Sequence, residues 1–156
     1  MTAVPVLDSD QLLAHLQGHR RLTRKTIAAF PADQFMTFAV GGMRPFGGIV
    51  RELLAMAGPF VKAFATDEWG AWDDDRSPIA QADALTRWDE NTALIDAHWP
   101  GLVARGFTRE ITIFGQWPGT VRSHLFYMLD NEIHHRAQGF TYLRALGIEP
   151  PPFWER

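Results

Sequence analysis

Apolar residues recur three and four apart in four separate stretches of this chain, and proline or glycine breaks the pattern between them. That arrangement constrains the fold more than any other feature. The first stretch opens after the capping run DSD (8–10) and runs to about Phe30, with Leu12, Leu16, Leu22 and Ile27 on its apolar side and Pro31 as its stop. The second spans about Phe46 to Ala65 through Ile49, Leu53, Met56, Phe60 and Phe64, and the GP pair at 58–59 is expected to kink it or end its regular part. The third covers roughly Ile79–His98. The fourth and longest runs from Val121 to Leu146 behind WPGT, with Gly147 closing it. EITIFG (110–115) alternates like a short strand but is isolated, and is read as an extended connector. In the tail IEPPPFWER, Phe153 and Trp154 are expected to pack back onto the body.

Four long helices with mostly short links predict an all-α, four-helix-bundle domain over residues 1–156. The links at 66–78 and 100–118 exceed what a minimal bundle needs, and long connectors often carry function. At 156 residues, 46% hydrophobic and 21% charged, the chain can bury one sizeable core. The net charge is −3 and the cations are dispersed, so no nucleic-acid surface is expected. The five cationic side chains within His19–Lys25 are read as a solvated face. No cysteine is present, which excludes disulfides, a catalytic thiol of the chain's own and thiolate metal ligands. MTAVPVLDSD lacks the order of a secretion leader and no apolar run is long enough to cross a bilayer, so the expected location is the cytoplasm, without membrane partners.

The segment DNEIHHRAQ (130–138) concentrates the chemistry. On a helix, Asp130 pairs with His134 and Glu132 with Arg136; both are read as surface or rim ion pairs. Asn131 and His135 share a stripe with Met128 and Tyr142, which is expected to be partly buried. A polar pair there needs partners. It is either a satisfied core hydrogen bond or half of a ligand set completed by a facing helix. Glu52 supplies a candidate for the other half, because it interrupts the apolar side of the second helix between Ile49 and Met56. Either Arg51 or another cation covers that carboxylate, or it sits just off the core and reaches water, or it has a function. Trp69, Trp72 and Trp117 either line a groove or pack into the core, and core packing is expected for at least two of them.

GMRPFGGIVREL (42–53), FGQWPGTV (114–121) and MLDNEIHHRAQGFTYLRALGIEPPPFW (128–154) together resemble the DinB/YfiT-like family. The resemblance covers most of the chain and is strongest from Phe114 to Trp154. It implies a four-helix bundle, commonly a homodimer, holding a divalent metal on three histidines. Carried over by position, those ligands fall on Glu52, Asn131 and His135, and only His135 keeps the family's residue type. Such a set is poorer for zinc or nickel than three imidazoles, though its carboxylate suits zinc, manganese or magnesium.

Three functions follow from the resemblance and the residues. In the first, metal at Glu52, Asn131 and His135 activates an external low-molecular-weight thiol for S-transfer, with His134, Asp130 or His124 moving protons. In the second, the chain is a non-catalytic, stress-related binding protein with a metal-free pocket. In the third, Glu52 is general base to a metal-bound water in a hydrolase.

Overall fold

A computed structural model of the chain describes residues 6–73 and 75–156. The opening pentapeptide, read above for its lack of a leader pattern, and Asp74 of the acidic connector lie outside the described residues. The order is α1 (Ser9–Ala29), α2 (Phe46–Thr66), α3 (Gln81–Arg105), β1 (Glu110–Ile113), β2 (Trp117–Thr120) and α4 (Val121–Ala145). No described helix is long and apolar enough to cross a membrane.

Each helix boundary has a local cause. Asp8 caps α1 by accepting from the Gln11 amide at 2.8 Å, while Gln11 Oε1 accepts from the Asp8 amide at 3.1 Å. Phe30 turns extended ahead of Pro31, and α1 ends there. Gly147, at φ 75°, terminates α4. Of the two outcomes expected at GP (58–59), a kink or an end to the regular part of α2, the structure excludes an end to the helix, which continues to Thr66. Asn91 of α3 accepts from the Gly58 amide and donates to the Leu54 carbonyl, both at 2.9 Å, so it serves the two groups that pair in an uninterrupted helix. A Cβ on residue 58 would stand 2.9 Å from the Asn91 amide, which explains glycine at this approach.

Two further boundaries correct the sequence reading. α3 begins at Gln81 and runs past His98 and through Pro100 to Arg105. EITI is no lone connector: it pairs antiparallel with WPGT, Glu110 opposite Thr120 and Ile113 opposite Trp117. WPGT therefore ends a hairpin before Thr120 caps α4 by accepting from the Ser123 amide at 3.1 Å. Pro118 is tolerated because a two-stranded sheet has only edge strands.

The helices bury two apolar half-cores. One gathers Phe60, Phe64, Ile95, Trp99 and Leu125; the other gathers Ile27, Phe35, Phe46, Trp88 and Tyr142. Along α1, α3 and α4, polar residues fall between the two sets and, with Glu52 of α2, form a waist across the bundle. On the α1–α4 side, Glu132 accepts from Thr23 at 2.6 Å and pairs with Arg20 at 3.5 Å and Arg136 at 4.0 Å. Arg20 donates to Thr92 and the Trp88 carbonyl, and its guanidinium stacks 4.0 Å from the Trp88 ring centroid. Arg136 donates to Thr23 and the His19 carbonyl. Burial, then the Arg136 charge, depresses the His19 pKa to about 4.

This waist overturns two readings. Glu132 and Arg136 are not a rim pair but are buried, at 5% and 6% exposure. The His19–Lys25 run is only half a solvated face, because His19 and Arg20 are buried while Arg21, Arg24 and Lys25 stay outside. The tail also departs from expectation. Phe153 and Trp154 stack edge to face with 67% of each exposed, and it is Arg156 that reaches the body, 2.9 Å from His19 Nε2.

Candidate functional site

On the α2–α4 side of the waist the three positions singled out by sequence converge. His135 Nε2 donates to Glu52 Oε1 at 3.2 Å, and Asn131 Nδ2 stands 3.4 Å from the same oxygen. The cation covering Glu52 is Arg44, whose Nη1 lies 2.6 Å from Oε2; Arg51 turns instead to Asp75. Arg44 is a loop residue set in place by Tyr142, whose hydroxyl donates to the Arg44 carbonyl at 3.0 Å. Met56, read above only as core, also reaches the site, its Sδ 3.8 Å from Asn131 Nδ2.

Electrostatics make this a half-buried ion cluster. The His135 hydrogen bond holds the Glu52 pKa down to about 2 against the cost of burial, with Arg44 adding to the effect. Burial by itself lowers the His135 pKa, but its hydrogen bonds to Glu52 and to Gln138, at 2.8 Å from Nδ1, outweigh that and the net shift is upward. Its two ring nitrogens face two oxygens, Oε1 of Gln138 and Oε1 of Glu52.

His134 and Asp130 do not form the expected pair. Both are exposed, and His134 Nε2 lies 3.4 Å from Gln138 Nε2. Adjacent helical residues point about 100° apart, which separates the buried His135 from the exposed His134.

This donor set does not fit zinc or nickel. Those ions need several lone pairs converging on one point. Here the His135 nitrogen facing Glu52 carries a proton, Asn131 presents its amide nitrogen, and a guanidinium covers one carboxylate oxygen. Among the described residues, no three His, Asp or Glu side chains cluster closely enough to hold a metal ion.

Glu52 opens onto a cavity of about 720 Å³ between α2, the hairpin and α4. Its walls are Phe60, Trp72, Phe114, Trp117 and Tyr127, with Gln116, Ser123 and His124 as further polar groups. The tryptophans correct the expectation of core packing: Trp69, Trp72 and Trp117 are 37%, 39% and 56% exposed. Trp69 and Trp72 meet Phe60 and Phe114 edge to face or tilted. Phe114 has φ 50°, a left-handed conformation that bulky residues rarely adopt, followed by Gly115 at φ 68°. The hairpin turn thus holds an aromatic ring at the cavity. His124 stacks on Phe64, and burial lowers its pKa, so it is neutral at pH 7.

The class so defined is a four-helix bundle with a polar waist and an aromatic cavity beside its last helix. The chain belongs to the DinB family, whose model matches residues 3–156. Its fold is that of a DinB-like protein from Bacillus subtilis, with a TM-score of 0.75 at 20% identity, covering 94% of this chain and 99% of the other. A DinB-like protein from Bacillus cereus is also similar, with a TM-score of 0.69 at 16% identity and coverage of 93% and 97%. No curated protein sequence matches significantly.

Proposed function

We propose that this DinB-family protein binds an apolar small molecule in the cavity beside Glu52 and does so without a metal. The observation that carries this reading is the cavity itself: about 720 Å³, walled by aromatic rings, with one ionised group among its polar ones. Sites for small organic ligands have this size and makeup. Glu52 is held in place by His135 and Arg44, so it serves as a fixed polar anchor at the cavity wall.

The competing reading is metal-dependent transfer of an external thiol. What favours it is the convergence of Glu52, Asn131 and His135. Against it stand the N–H of His135 that faces Glu52 and the guanidinium on that carboxylate, which a metal ion has to displace.

A neutral fluorescent probe, N-phenylnaphthylamine, is expected to bind saturably, one per chain. Trp72→Ala and Trp117→Ala should each weaken it about tenfold, or 1.4 kcal/mol. Absence of saturable binding, or binding indifferent to both substitutions, overturns the reading.

We also infer a homodimer. Phe126, Ile133, Ala137 and Phe140 form an apolar stripe on α4 outside the core, none of them buried. Phe126 and Phe140 are equidistant in sequence from Ile133, so two antiparallel copies bring unlike ends together and Ile133 onto its counterpart. Ile133→Glu should turn a dimer into a monomer by light scattering. A native chain that is monomeric at all concentrations ends this inference.

A further inference from the structure

We infer that the ligand of this cavity is an organic cation, an ammonium carried on an apolar or aromatic body. The inference rests on the binding reading above and adds the charge of the ligand. Aromatic rings present negative faces, and several rings around one space favour a cation over a neutral group of equal shape. Five aromatic side chains border this cavity, among them Trp72, Phe114 and Trp117.

The charge lining the cavity has the matching sign. Among the described residues Glu52 is the only acid or base on the wall besides the neutral His124, and no Lys or Arg lines it. A carboxylate offers about four acceptor positions. Those of Glu52 meet three donors, from His135, Asn131 and Arg44, which leaves capacity for a positive group on a ligand. The net charge of −3 adds a weak long-range attraction.

Arg44 and His135 oppose this, and their placement limits them. Arg44 sits on Oε2 of Glu52 with 53% of its side chain exposed, so water screens it, and neither it nor His135 lines the cavity. The carboxylate and the aromatic rings are therefore what a bound ligand meets first.

The test compares benzyltrimethylammonium with neopentylbenzene, its uncharged isostere, and with anilinonaphthalene sulfonate as an anion. Binding is read by calorimetry and by tryptophan fluorescence. The cation is expected to bind about tenfold or more tightly than the neutral isostere. Trp117→Leu, which keeps an apolar side chain at an exposed position, should erase most of that ratio, and Glu52→Gln should reduce it. Thermal unfolding confirms that each variant is folded. Equal or tighter binding of the neutral or anionic compound overturns the cation inference and leaves cavity binding standing. If none of the three binds, nor N-phenylnaphthylamine, both fall.

Discussion

Glu132 is the most severe test of the buried waist. Its side chain is 6% exposed, accepts a 2.6 Å bond from Thr23, and lies between two guanidiniums that are themselves 1% and 7% exposed. Glu132→Ala leaves Arg20 and Arg136 buried without their anion. Breaking a buried ion pair from one side costs about 3–5 kcal/mol. With 156 residues at about 2.1 cal/mol/K each, the unfolding entropy is roughly 0.33 kcal/mol/K, so Tm should fall by about 9–15 °C. Glu132→Gln keeps the volume and the bond to Thr23 but removes the charge, and should recover only part of the loss. Glu149→Ala, on the exposed Arg144–Glu149 pair, is the control and should cost about 0–1 kcal/mol. Calorimetric Tm and urea midpoints measure all three. A Glu132→Ala loss no larger than that of Glu149→Ala refutes the buried-network account.

Stability should fall on acidification in two stages. His19, with a folded pKa of about 4 against 6.5, contributes stability above pH 6.5 that is lost as pH falls toward 4; Glu52, at about 2 against 4.5, contributes stability lost between 4.5 and 2. His135 acts oppositely: its raised pKa contributes stability below 6.5 that fades as pH rises past its folded value. Urea midpoints across this range should reveal both acid limbs, and His19→Gln should flatten the first; an unchanged profile contradicts the assignment. Asn91→Ala removes both bonds to α2 beside Pro59 and should cost about 1–3 kcal/mol, with faster amide exchange at Gly58. Undiminished protection there would mean that the helix needs no help from α3.

Much of the bundle was legible because helix-forming sequence marks itself locally. The DSD cap, the breaks at Pro31 and Gly147 and the three-four spacing of apolar residues lie within a turn or two of what they control. Glu52, Asn131 and His135 were visible because each interrupts an apolar stripe. Arg20 carried the same signal, four residues after Leu16 and three before Thr23, and it marked the buried network. The Glu132–Arg136 spacing could not reveal burial, since surface and interior pairs share it; the partners that make the difference, Thr23 and Arg20, lie 109 and 112 residues away. Arg44 sits in a loop without periodicity, so nothing local pointed to its partner. The hairpin was hidden because WPGT reads as a helix entrance, and pairing with EITI is a tertiary fact.

The central claim is that Glu52, His135 and Arg44 form an ion cluster rather than a metal centre. Calorimetric titration of zinc and nickel into chelator-treated protein tests it most directly, with Asn131→His as the comparison, since that substitution supplies a second imidazole on the site's face. The account predicts no stoichiometric binding by the native chain and measurable zinc binding by Asn131→His. One equivalent of zinc bound by the native chain, and lost in His135→Ala but not in His134→Ala, would contradict it.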